Sequence, residues 1–311
     1  MMSDSSTGSG SAKLVVFTWN IDEKEEAFGF ACEHLSQQGS FVAALQEVPD
    51  DDNSQSSILM MVEKHRLRLL SRTPDMDMHR EEFKSTKSKV ILLSSKDIEI
   101  DPIGKRHEGD SEYDDTRRLE GVTLRSQSWQ DLQILGIHGL DLFNYPSEGK
   151  RAKWATRMRA IIDQFWADGP IIVMGDMNAH PWSPEIAGRD GLYAIRQKDW
   201  PDQESSKRQG ARKPVKPLYN PMWRLLPDGD PDQRGTYFYA KAENDLRWHC
   251  LDQIIISEHL REHSSAPAVL TKLCGHDLVG STGKPNISDH LPLQMVIEIG
   301  KVPSCQTSAS S

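Results

Sequence analysis

Residues 171–178 read Ile-Ile-Val-Met-Gly-Asp-Met-Asn. The first four are apolar and rich in β-branched side chains, which reads as a strand, and the strand gives way at once to Gly175-Asp176-Met177-Asn178. The same arrangement recurs along the chain. Lys13–Phe17 runs into Thr18-Trp19-Asn20-Ile21-Asp22, Phe41–Leu45 into Gln46-Glu47, and Leu132–Ile137 into His138. Asp252 lies inside the strand pattern Leu251–Ser257, and Ser288-Asp289-His290 precedes the strand pattern Leu293–Ile299. Val90–Ser94, Gly121–Leu124 and Tyr237–Ala240 complete the expected strands. Glu23–Gln37, Ser54–His65 and Lys150–Trp166 carry apolar residues at helical spacing; the last presents Trp154, Met158, Ile161, Ile162 and Phe165 on one face. Strands alternating with helices make a layered α/β fold. In such folds, polar residues at strand ends are held rigidly yet left accessible, so ligands bind there.

The residue types at those strand ends specify a chemistry. Three acids (Glu47, Asp176, Asp289), two amides (Asn20, Asn178) and two histidines (His138, His290) form an oxygen-rich set with imidazole nearby. Such a set suits Mg²⁺ or Mn²⁺, whereas zinc prefers thiolate or several imidazoles. A hard cation can hold a phosphate oxygen and help position a water for in-line attack. Asn20 and Asp22 taken alone read as turn residues, and His138 alone as a structural histidine; Glu47 beside them favours the site. Asp252 inside an apolar strand costs several kcal/mol unless it is paired, so a partner such as His290 is expected.

Composition narrows the class. The 311 residues suffice for one large α/β domain, with no need of disulfides or a structural metal. The four cysteines, Cys32, Cys250, Cys274 and Cys305, show no two-residue spacing, and the first residues carry no apolar signal core. A cytoplasmic protein with free thiols is expected, with no membrane span. The formal net charge of −9 denies the easy electrostatic argument for nucleic acid. A metal site concentrates carboxylates, however, and its ion offsets them locally.

With these motifs in view, TWNID, LQEV, IHGL, GDMN, LDQI and SDH in that order, the chain strongly resembles the endonuclease/exonuclease/phosphatase superfamily. That superfamily includes exonuclease III, DNase I and tyrosyl-DNA phosphodiesterase, and the resemblance runs from about Lys13 to Gly300. It implies a four-layer α/β sandwich, two packed mixed sheets flanked by helices, and metal-dependent phosphodiester hydrolysis. It also implies roles. Glu47 is the main metal ligand, with Asn20, Asp22 and Asp289 around it. Asp176 orients or deprotonates the attacking water, and Asn178 bonds the phosphate. His290, oriented by Asp252, contacts the scissile phosphate, and His138 donates to a phosphate oxygen. The histidine at 138 matches some branches and the acid at 22 others, so the substrate stays open.

Nucleic acid, DNA or RNA, is the first expectation for that substrate. A phosphatase or phosphodiesterase acting on a small molecule or lipid head group is the alternative, and a catalytically dead binding module a third. Lys150, Arg151 and Arg157 begin a helix soon after His138 and are candidates for backbone contacts, as are Arg117 and Arg118. Tyr219 and Trp223 follow a basic stretch and are candidates for base stacking. One domain over 13–300 is expected, with disordered tails at 1–12 and 301–311 and a long loop at about 190–235.

Overall fold

Alternation along the strands decides which side chains meet. The computed structural model describes residues 12–49, 51–70, 90–102, 118–125, 131–165, 169–196, 216–225, 235–241 and 247–299. Both expected tails and most of the 190–235 loop therefore lie outside the described residues.

One sheet has six strands: β1 (Lys13–Asn20), β2 (Phe41–Gln46), β3 (Arg68–Leu69), β4 (Val90–Ser94), β14 (Ala268–Val269) and β17 (Leu293–Glu298). Their order is β14-β17-β1-β2-β4-β3. The other has seven: β5 (Glu99–Pro102), β6 (Leu119–Arg125), β7 (Leu132–His138), β8 (Ile171–Asp176), β9 (Ala194–Ile195), β10 (Leu218–Tyr219) and β13 (Asp252–Ile256). Its order is β5-β6-β7-β8-β13-β10-β9. Both are mixed: β1 runs parallel to β2 and antiparallel to β17, while β7 runs parallel to β8 and β8 antiparallel to β13. Two small ribbons, β11 (Tyr237–Phe238) with β12 (Trp248–His249) and β15 (Lys272–Leu273) with β16 (His276–Asp277), flank them.

Because successive side chains point to opposite faces, each strand feeds two cores. Leu14 and Val16 of β1, Val42 and Ala44 of β2, Ile134 of β7, Ile172 and Met174 of β8, and Ile254 and Ile256 of β13 fill the space between the sheets. Phe17, Trp19, Ala43 and Leu45 face outward against α1 (Glu25–Ser36) and α2 (Asp52–Lys64). Leu135, Ile137, Ile171, Val173 and Ile255 face outward against Trp154, Met158 and Ile162 of α3 (Glu148–Phe165). Helix, sheet, sheet, helix is the four-layer sandwich expected from the sequence, with burial of each large apolar side chain contributing about 1.5–3 kcal/mol.

Continuing the same parity to the strand ends places Asn20, Gln46, His138, Asp176 and Asp252 on the inner faces. Register then brings them side by side: Asn20 opposite Gln46, and Asp176 between His138 and Asp252. Two glycines permit this closeness. A Cβ on Gly175, whose φ is +144°, would lie 1.9 Å from the Ile137 carbonyl oxygen; one on Gly139 would lie 2.1 Å from that of Met177. Within the segment expected to be a structureless loop, β9, β10 and a 3₁₀ turn at Pro221–Leu225 are ordered additions. Arg159 explains part of that order. It is fully buried and donates to the Leu192 and Lys216 carbonyls at 2.7 and 2.6 Å, tying two points of the segment to α3.

Candidate active site

The inner-face residues converge at one mouth of the sandwich. Asn20, at the end of β1, bridges two acids: its Nδ2 donates to Glu47 Oε1 at 3.0 Å and to Asp176 Oδ2 at 3.1 Å. Its Oδ1 accepts from the Asp22 backbone N–H at 3.1 Å, which fixes the amide's orientation. Asn20 thus faces the carboxylates with its donor, while its oxygen accepts from the backbone turn and keeps a second lone pair. Glu47 follows β2 in the left-handed region, φ 51°, and Asn178 and Asp22 also have positive φ, 49° and 48°. Left-handed backbone is costly for a residue such as glutamate and collects at functional sites. Here it turns Glu47 back over the sheet edge toward Asp176.

The loop after β8 is held by its own acid. Asp176 Oδ1 accepts from the Asn178 N–H at 2.8 Å, and Asn178 Nδ2 donates to the Gly139 carbonyl at 3.2 Å. Across the sheet, Asp252 Oδ2 lies 2.8 Å from His290 Nδ1, the pairing expected for a buried carboxylate. The hydroxyl of Thr236 accepts from the backbone N–H groups of Leu251 and Asp252 at 3.0 and 2.9 Å, fixing the start of β13. Ser288 donates to the Asn20 carbonyl at 2.7 Å and accepts from the His290 N–H at 3.0 Å, and Trp19 Nε1 donates to the His290 carbonyl at 3.0 Å. The dyad's other ring nitrogen, His290 Nε2, is 3.8 Å from Asp176 Oδ2 and 3.9 Å from Asp289 Oδ1. His138 Nε2 approaches from β7, 3.6 Å from Glu47 Oε1 and 3.7 Å from Asp176 Oδ2.

Environment drives the two imidazoles apart. Burial pushes His138 down to about 4, with Arg118 and His290 adding to the effect and Asp176 only partly offsetting it. Burial acts on His290 in the same sense, but Asp252, Asp176 and Asp289 outweigh it and raise the ring to about 10. The two imidazoles are thus shifted in opposite directions, His138 toward its neutral form and His290 toward its charged form. Pairs of groups separated in this way mark acid, base and electrostatic roles in a site.

The acids show a matching tension. Burial raises Glu47 to about 7, helped by Asp176 and Asp22 and opposed by the Asn20 hydrogen bond. Burial likewise raises Asp289, with Asp22, Asp176 and Asp252 adding to it against His290. Asp252 Oδ1 is buried with no hydrogen-bond partner among the described residues. Ligand atoms of Asp176, Asp252 and His290 lie within 4.8 Å of one another. Crowded, partly desolvated carboxylate oxygens are the donor set of a hard divalent cation, so the residues present fit one. Asp176 belongs to that group, and Glu47 is tied to it through the Asn20 amide.

Of the expected substrate contacts, the structure brings some near this mouth and removes others. Arg118 is buried behind His138 and donates to the Gly139 carbonyl at 2.7 Å; Arg117 lies outside the described residues. Arg151 is engaged with Glu185 at 3.2 Å and the Tyr145 carbonyl at 2.9 Å, while Lys150 is exposed and Arg157 partly so. Tyr219 is only 4% exposed, packed into the inner core with Arg261 over its ring, so it presents no face to a base. Its buried strand pairing with β13 is the reason. Trp223 is half-buried, 6.3 Å from the ring of Trp182.

Sequence reasoning did not single out Tyr237, whose ring centroid is 4.7 Å from that of His290, or Trp182. The signal for Tyr237 was the short strand before Asp252: its partner is the segment carrying His290, with Phe238 N–H donating to the Asp289 carbonyl at 2.8 Å. Burial and the nearby acids raise the Tyr237 hydroxyl to about 12, so it remains a donor. An open cavity of about 510 Å³ borders Ser288 and Asp289, walled by Phe143, Tyr237, Tyr239, Lys241 and Lys284.

Comparison with solved structures agrees with this layout. A truncated TDP2 from Caenorhabditis elegans matches with a TM-score of 0.55 at 14% identity, over 92% of this chain and 97% of that one. An AP endonuclease from Archaeoglobus fulgidus matches at 0.54 and 16%, over 91% and 99%. The 3'-5' exonuclease NExo from Neisseria meningitidis matches at 0.52 and 14%, over 90% and 98%. At these identities the likeness establishes the fold. No curated protein matched the sequence. Residues 17–290 match the sequence profile of the Endonuclease/Exonuclease/phosphatase family, and the chain belongs to that family of metal-dependent phosphoesterases.

Proposed function

We propose that the protein is a Mg²⁺- or Mn²⁺-dependent phosphodiesterase that cuts DNA or RNA. The observation that carries the reading is geometric: the Nε2 atoms of two buried histidines, His138 and His290, lie 3.7 and 3.8 Å from Asp176 Oδ2, with Asp252 2.8 Å from the Nδ1 of His290. Glu47, with Asp22 and Asp289 nearby, would hold the divalent ion, which supplies charge neutralisation and polarises a phosphate oxygen.

The chain's own groups then divide the work. The His290 imidazolium, kept charged and oriented by Asp252, donates from Nε2 to a phosphate oxygen and stabilises the charge that develops there. Asp176, fixed by Asn20 and the Asn178 N–H, accepts a proton from the attacking water. The new bond runs from water oxygen to phosphorus; the bond that breaks runs from phosphorus to the leaving oxygen, which takes up a proton from solvent as Asp176 returns its own to solvent. His138 and the Asn178 amide would bond the remaining oxygens. A 5′-phosphate and a 3′-hydroxyl are the expected products. Lys241 and Lys284, in the cavity beside Asp289, and Lys150 at the start of α3 offer cations to a phosphate backbone.

The test incubates purified protein with labelled single- and double-stranded DNA, RNA and bis(4-nitrophenyl) phosphate. Each is run with Mg²⁺, Mn²⁺ or EDTA, against an Asp176→Ala/His290→Ala double variant. Metal-dependent cutting of a polymer, absent from the variant, is expected. Cleavage of the small diester alone refutes the nucleic-acid assignment in favour of a small-molecule phosphodiesterase, and inactivity on every substrate refutes the catalytic reading.

A further inference from the structure

Trp19 and Trp154 are 0% and 2% exposed, whereas Trp182 is 50% exposed. Leaving half an indole in water forgoes burial that an aromatic side chain otherwise contributes. Yet this ring is not loose. It stacks on His180 at 4.4 Å with an interplanar angle of 5°, and Trp223 lies at 6.3 Å, tilted by 54°.

The loop that carries it is the one that leaves β8 through Asp176 and Asn178. The His180 N–H donates to the Ser183 hydroxyl at 3.1 Å and the Ser183 N–H to the His180 carbonyl at 2.9 Å. Gln253, next to Asp252, donates to the Ala179 carbonyl at 2.6 Å. The platform and the catalytic loop are therefore one braced unit.

Ring contacts lead from that platform to the site without a break. Trp182 touches His180; His180 touches His249 at 5.3 Å; His249 touches Tyr237 at 6.1 Å; and Tyr237 touches His290 at 4.7 Å. Arg224, adjacent to Trp223 in the chain, is exposed, with its guanidinium 6.0 Å from the Tyr219 ring centroid. A flat, fixed, half-exposed indole, linked to the phosphate-cleaving site along other rings, matches how single strands are held, with bases stacked on aromatic faces.

We infer that Trp182, backed by His180 and flanked by Trp223, is a stacking platform for a base of single-stranded DNA or RNA several positions to one side of the scissile phosphate. The inference rests on the nucleic-acid reading above and adds a residue that selects unpaired polymer over short ester. Trp182→Ala raises KM for a single-stranded oligonucleotide about 5- to 150-fold, the equivalent of about 1–3 kcal/mol of stacking, with kcat within about twofold of wild type. Trp182→Phe recovers most of the loss. The penalty shrinks as the oligonucleotide is shortened from the side that reaches the platform. Thermal unfolding of each variant reports that it is folded.

The two readings fail differently. Wild-type protein that cuts oligonucleotides with a KM unmoved by Trp182→Ala overturns the platform and leaves the nuclease standing; that is also the result if Trp182 faces a protein partner. Wild-type protein that cuts no polymer overturns both. A fall in kcat that Trp182→Phe does not restore assigns the residue to loop packing instead, and overturns the platform as well.

Discussion

Replacing Glu47 by glutamine in metal-free protein is expected to stabilise the fold and abolish its response to metal. Glu47 is about one-fifth exposed, and burial lifts its carboxyl from 4.5 to about 7, with Asp176 and Asp22 contributing and Asn20 opposing. A group held above its unfolded value binds its proton more tightly in the folded chain. Its contribution is fully present below about 4.5 and is lost as pH rises through about 7. The shift corresponds to at most about 3 kcal/mol. At pH 8 without metal, wild-type protein therefore holds a charge that the site disfavours, and Glu47→Gln removes it while leaving an oxygen to accept the Asn20 hydrogen bond. Thermal unfolding at pH 8 in EDTA should show the variant melting higher by roughly 5 °C, given about 2 °C per kcal/mol for a chain of this size. At pH 5 most of that difference disappears. Added Mg²⁺ or Mn²⁺ should raise the wild-type midpoint by binding the folded state alone, and the variant's much less. A variant that melts no higher than wild type at pH 8, or that gains equally from metal, would show that Glu47 is not the strained acid of a cation site.

Two further substitutions address the rest of the machinery. Asp252→Asn removes the carboxylate 2.8 Å from His290 Nδ1, so turnover should fall on the order of 100-fold, KM should change little, and the alkaline limb of the pH–rate profile should move to lower pH; an unchanged profile would refute the dyad. Gly139→Ala sets a Cβ against the Met177 carbonyl at 2.1 Å, so calorimetry should record a loss of about 1–3 kcal/mol or more. Gly39→Ala, where a Cβ meets nothing within 4 Å, should stay within about 0.5 kcal/mol. Equal effects at the two glycines would mean that the approach of β7 to the Asp176 loop is not tight.

The depth to which the sequence could be read follows from the range of the interactions involved. Strand alternation is local, so β1, β2, β7, β8, β13 and β17 were legible from their own residues, and parity carries Asn20 to the inner face of one sheet and His138, Asp176 and Asp252 to the inner face of the other. The Asp252–His290 pair was legible for an energetic reason, since a buried acid must find a partner. What stayed hidden depends on contacts across long separations. Tyr219 sits in a basic, proline-rich context suited to a binding loop, yet its pairing with Ile256 of β13 draws it into the core. Arg159 sits among helix charges that suit a solvated face, but α3 packs so that its guanidinium caps the Leu192 and Lys216 carbonyls. The Asn20 amide is a ligand type by composition, but its bridge between Glu47 and Asp176 depends on residues 27 and 156 positions away. Trp182 shows no periodic signal, because its place is set by four residues of irregular loop and by rings 41 and 67 positions away in Trp223 and His249. The polar residues that gather at the candidate site are thus announced by strand ends, whereas the surroundings of Trp182 depend on how distant loops meet, which no local pattern records.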